Sequence, residues 1–115
     1  MSFTDSILTM LGLVGIIFFA VGVIMLLFPP KKINVLYGYR TTRSMKNQEQ
    51  WDFAQNYSSK LLIIFGAVLA LLSLLGYCID ISDNTEAIMS TILIIGTVIL
   101  ILIKTEKAIK TKFNG

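Results

Sequence analysis

Three stretches of this chain carry no charged side chain: residues 7–28, 61–79 and 87–103. A helix needs about 20 apolar residues to cross the hydrocarbon core of a bilayer, with about 17 the lower limit. The first stretch exceeds that length, the second meets it and the third sits at the limit. The pattern predicts an all-α integral membrane protein with three transmembrane helices. Residues 29–60 would form a loop and interfacial helix between the first two spans, and residues 104–115 a basic tail. Little is left for a separate soluble domain, so the chain is expected to be one membrane domain over 1–115.

The boundaries have their own signals. Pro29 and Pro30 end the first helix, because neither has an N–H to donate and each restricts the residue before it. Asn47 and Gln50 have the spacing of a capping box, with Asn47 as N-cap and Gln50 reaching back from the third helical position. Trp51, Ala54, Leu61, Leu62 and Phe65 then recur at helical spacing. One helix is therefore expected from about Gln48 into the second span. Its first three turns would lie at the membrane interface, a depth that suits Trp51 and Tyr57. Ser2 or Thr4 is expected to cap the first helix, and Thr85 with Glu86 the third. The short connection 80–86 makes the second and third helices a tight antiparallel hairpin. The tail sets Ile109 and Phe113 against four lysines and reads as an amphipathic extension resting on anionic lipid.

Gly15 and Gly22, with Gly12, line one face of the first helix. Gly66, Ala70 and Ser73 form a matching stripe on the second. Small residues let membrane helices approach closely, so these faces are expected to pack. A lipid- or peptide-binding groove is the sharper alternative. The glycine faces and the short third span also suggest a homo-oligomer.

Charge adds an orientation. All ten basic residues fall either between Lys31 and Lys60 or after residue 103, whereas the second connection holds Asp80, Asp83 and Glu86. Basic segments stay cytoplasmic, which puts the N-terminus outside and the long loop and C-terminus inside. The net charge of +3 is a juxtamembrane charge, attracted to anionic lipid head groups at about 1 kcal/mol per cation. It does not point to a nucleic-acid partner. The first span is too long for a signal-peptide core and follows Asp5 rather than a cationic segment, so it reads as a retained helix. The single cysteine, Cys78, has no intrachain partner and is expected to be a buried thiol. With no histidine in the chain, the usual general base and the commonest zinc ligand are missing. No cofactor or metal is expected.

The candidate site is the segment from Gly38 to Lys46, followed by Trp51. Gly38 permits a sharp turn. Arg40 offers a planar fork of donors for phosphate or carboxylate, and Thr41 and Ser44 add hydroxyls beside it. Lys46 raises the local potential, while Trp51 and the tyrosines, Tyr39 among them, would roof an anion-recognising pocket. The plainer alternative is that Arg40 pairs with Glu49 or Asp52 and pins the loop to the helix. Arg43 reads as a topology determinant. Asn34 reads as a turn former that could also bond across the loop.

In order and spacing, Gly38, Arg40, Thr41, Ser44, Met45 and Trp51 resemble the signature of the SdpI family. These are bacterial integral membrane proteins related to the immunity protein against a sporulation-delaying toxin. The resemblance is strong over 34–58 and looser in the hydropathy on either side. Gln55 stands where the family often has Asn or His, and Thr42 where proline is frequent. The resemblance implies a bacterial cytoplasmic (inner) membrane protein that protects its producer against a membrane-active peptide toxin. Residue types and resemblance together make Asn34, Gly38, Tyr39, Arg40, Thr41, Ser44, Lys46, Trp51 and Gln55 the candidate binding residues. The repressor capture of the best-known member is not carried over, since this chain lacks that member's extra helices. An enzyme acting on lipid head groups ranks second, for want of a catalytic set beyond Glu49 and Asp52 near Arg40. A small transporter ranks third, because no acidic residue lies within the three charge-free stretches.

Overall fold

The computed structural model describes residues 3–78 and 82–113 and consists of three helices, α1 (Phe3–Leu27), α2 (Gln48–Tyr77) and α3 (Asp83–Phe113). No strand occurs among the described residues. Each helix is long and apolar enough to cross a membrane, as the hydropathy pattern requires. The chain is a multi-pass, all-α membrane protein.

Its surface is inverted relative to a water-soluble bundle. Ile16, Leu71, Leu74, Ile92 and Ile95 point outward, while Ser73, Ser90, Thr97 and Thr105 are buried. Lipid solvates the first group; in the second, the Thr97 hydroxyl donates to the Leu93 carbonyl at 2.7 Å, whereas the Thr105 hydroxyl has no hydrogen-bond partner among the described residues. Helices in lipid gain little from burying apolar surface against one another and rely on close packing instead. The glycine stripes supply it. A Cβ placed on Gly15 would lie 2.7 Å from the Gly66 carbonyl oxygen, and one on Gly22 would lie 2.7 Å from that of Ser59. A Cβ on Gly66 would come within 2.5 Å of the Phe19 nitrogen. Backbone meets backbone along this seam, so the stripes pack against each other and leave no groove between them.

Several helix ends differ from expectation. Asn47 caps α2 as predicted and accepts from the Gln50 N–H at 2.9 Å. Gln50, however, meets the Asn47 side chain at 3.2 Å and sends its amide to the Arg43 carbonyl at 2.7 Å. The α3 cap is Ser82 rather than Thr85. Its hydroxyl accepts from the Thr85 N–H at 3.3 Å and donates to the Thr85 hydroxyl at 2.7 Å. Thr4 lies inside α1, and Ser2 lies outside the described residues, as do 79–81 of the short connection. Cys78 is exposed, not buried, because α2 ends at its side of the turn. Glu86 is buried at 5% exposure, and its Oε2 has no hydrogen-bond partner among the described residues. Hydropathy assigns this residue to the connection, but it belongs to the first turn of α3.

At about 1.5 Å per residue, α2 and α3 are each roughly 45 Å long, against a bilayer core of about 30 Å. Both overshoot at the same end, where polar first turns of α2 lie beside polar last turns of α3. Phe53 meets Phe113 edge-on with centroids 5.7 Å apart, and the Lys112 Nζ lies 4.7 Å above the Phe53 ring. Ile109 is completely buried. The basic tail is thus an unbroken continuation of α3, and its apolar side is covered by protein rather than by lipid. Because α1 stops at Leu27, the loop 28–47 covers the overshooting helices in its place.

Candidate functional site

The loop has no regular structure, so its shape comes from side chains of α2 and from its own turn residues. Asn34 begins it. Its Oδ1 accepts from the N–H groups of Leu36 (2.9 Å) and Tyr37 (2.7 Å), and its amide donates to the Lys32 carbonyl. This is the turn-forming role expected of asparagine, and it leaves Val35 and Leu36 projecting outward at 68% and 91% exposure. The Tyr37 hydroxyl donates back to the Phe28 carbonyl at 2.8 Å. Gly38 then takes φ +109°, and a Cβ there would sit 2.6 Å from Gln55 Oε1. Only glycine accepts that backbone without strain.

Four side chains of α2 bind the strap, Gln50 through the Arg43 carbonyl already described and three others nearer its start. Gln55 accepts from the Tyr39 N–H at 2.6 Å and donates to the Tyr39 carbonyl at 2.8 Å, the pairing a neighbouring strand would otherwise supply. Trp51 donates its indole N–H to the Pro30 carbonyl and is completely buried. Gln48 donates to the Lys31 carbonyl at 2.6 Å. Ser44, also completely buried, knots the turn. Its Oγ accepts from the Thr41 N–H at 2.8 Å, and its own N–H donates to Thr41 Oγ1 at 3.1 Å.

The far side of the strap is fixed to α3. The Tyr39 hydroxyl donates to Glu106 Oε1 at 2.8 Å, and Arg43 Nη1 bonds Oε2 of the same carboxylate at 3.2 Å. Burial, together with the Glu106 carboxylate it donates to, pushes the Tyr39 phenol well above its ordinary range. A group whose folded pKa is raised stabilises fully below its unfolded pKa and loses that contribution as pH rises. The stability advantage of the natural chain over Tyr39→Phe should therefore shrink as pH climbs above about 10, where an unfolded tyrosine ionises. Paired unfolding curves at pH 8 and pH 11 would measure this. A constant gap would show that the phenol does not titrate with unfolding.

Every candidate site residue is thus located. Asn34, Gly38, Tyr39, Thr41, Ser44, Trp51 and Gln55 are engaged in building and fastening the strap. Trp51 is a strut beneath the loop, where the sequence suggested an interfacial ring. Arg40 and Lys46 are exposed, and Arg40 makes no ion pair among the described residues. The expected partner Asp52 instead accepts from Gln48 at 2.8 Å. The ion pair that pins the loop is Arg43 with Glu106, and it runs to α3 rather than α2. Glu106 escaped the sequence reading; its one signal was its position as the sole acid in the basic run 104–115. Thr41, Thr42, Arg43, Lys46 and Glu106 together line a cleft on this end of the protein.

Comparison with known proteins bears on these residues directly. The model of the SdpI/YfhL protein family matches residues 31–105, which covers the strap, α2 and most of α3. The uncharacterized protein YfhL of Bacillus subtilis (strain 168) is 41% identical over 102 residues, 88% of this chain and 87% of that protein. No solved structure matches.

Proposed function

This chain belongs to the SdpI/YfhL protein family, and on that premise we propose that it protects the bacterium carrying it against a membrane-active peptide. It acts by binding that peptide through the exposed cations of the strap. In this reading the protein sits in the cytoplasmic membrane with the strap and the C-terminus inside and the N-terminus outside. The clustering of all ten basic residues at one end supports that orientation, since cationic segments resist translocation.

The observation that carries the reading is the division of labour within the motif. Its glycine, threonine, serine, tryptophan and glutamine are consumed in holding the loop, whereas Arg40 is held outward with no ion pair among the described residues. A guanidinium on a fastened loop is pre-organised to take a carboxylate through two parallel hydrogen bonds. Lys46 adds attraction for an anionic group. Arg40→Ala should abolish protection of a sensitive host while leaving membrane abundance and unfolding midpoint unchanged. Full protection by that variant would remove the role assigned to the strap.

A further inference from the structure

Where α1 and α3 meet, a crevice of about 380 Å³ opens on the lipid-facing side of the bundle. Phe18, Val21 and Met25 of α1, Leu62 of α2, and Val98 and Leu102 of α3 form its walls. Tyr37, Gly38 and Tyr39 of the strap close one end. The Tyr39 hydroxyl that donates to Glu106 also lies 3.4 Å from the Leu102 carbonyl. Tyr39, which lines the crevice, thus bonds a residue of the cleft formed by Thr41, Thr42, Arg43, Lys46 and Glu106. An apolar slot and a cationic shelf adjoin across one side chain. Counting Arg43, Lys46 and Glu106, the shelf has a net charge of +1, and exposed Arg40 adds to its field.

We infer that an anionic phospholipid occupies this site, one acyl chain in the α1–α3 crevice and its phosphate on the shelf beside Lys46. Chemistry chooses the occupant. The crevice is lined almost wholly by apolar side chains and opens sideways from the bundle, and the shelf beside it is cationic. An apolar tail joined to one anionic group, the two ends of an anionic phospholipid, matches both. The paired Arg43 and Glu106 offer a phosphate little net charge, which leaves Lys46 as the main head-group contact. The lipid site shares Lys46 with the protective reading but does not use Arg40, on which that reading rests.

The test is native mass spectrometry of the full chain in detergent, titrated with dioleoyl phosphatidylglycerol, dioleoyl phosphatidylcholine or glycerol 3-phosphate. Phosphatidylglycerol should be retained most strongly, and glycerol 3-phosphate, which has no chain, should not be retained. Lys46→Gln should weaken phosphatidylglycerol about fivefold, the loss of one cation near a lipid surface, and leave phosphatidylcholine unchanged. Val98→Phe should fill the mouth of the crevice and lower binding of both lipids. Ile92→Phe, an outward change elsewhere on α3, should lower neither. Equal retention of the two lipids overturns the head-group assignment. Natural affinity in Val98→Phe overturns the crevice, and so does retention of glycerol 3-phosphate to the same degree as the lipid. Host protection is a separate readout, so failure here leaves the Arg40 reading to its own assay.

Discussion

Trp51→Ala should destabilise the protein by about 3–5 kcal/mol, the usual cost of emptying a large aromatic site in a packed interior. Trp51 is the largest completely buried side chain, and it stands between α2 and the strap. Its indole N–H is also bonded to the carbonyl of Pro30, itself buried. Alanine therefore leaves a cavity and an unpaired acceptor together. Trp51→Phe keeps most of the volume and should lose only the hydrogen bond, about 1–3 kcal/mol for an acceptor stranded out of solvent. Thermal unfolding in detergent would rank the three proteins. Trypsin should cut Trp51→Ala at Arg40 and Arg43 well before it cuts the natural chain, because the strap those residues occupy is no longer fastened. An alanine variant as stable and as resistant as the natural protein would mean that the strap is held by other contacts.

Gly66→Val should be nearly as damaging, by the opposite route. The added Cβ would meet the Phe19 nitrogen at 2.5 Å and the Gly15 oxygen at 2.6 Å. Both are backbone atoms, so no rotamer change relieves the clash and α1 must move away from α2. Overpacking typically costs about 1–3 kcal/mol, and a rigid obstacle on both sides puts this site at the upper end. Gly96 is the natural control, since a Cβ there meets nothing within 4 Å. Gly96→Val should change stability by less than about 0.5 kcal/mol. Unfolding in mixed detergent and dodecyl sulfate micelles would separate the two. Equal midpoints would contradict the close approach of α1 and α2.

The gross architecture was legible because each signal is local. Charge-free runs of sufficient length, a proline pair and an asparagine cap are properties of neighbours in sequence, and α1, α2 and α3 follow from them. The glycine and small-residue stripes were legible for the same reason: one face of a helix is a matter of spacing alone. What escaped depends on chain segments far apart in sequence. Nothing near Glu106 shows that Tyr39 and Arg43, more than 60 residues earlier, converge on it. Trp51 suits both a membrane interface and a protein interior, and the strap folding over it decides between them. The α3 cap moved from Thr85 to Ser82 because the helix takes in Glu86, a carboxylate that hydropathy alone assigns to water. The motif residues come together in one turn, and most of their polar groups hold the loop rather than reach outward from it.

Val35 and Leu36, thrown clear of the strap by the Asn34 turn, have a mechanical consequence. Two aliphatic side chains gain about 3 to 6 kcal/mol on leaving water for hydrocarbon, enough to moor the turn among acyl tails. Such a mooring sets how far Arg40 stands from the head groups.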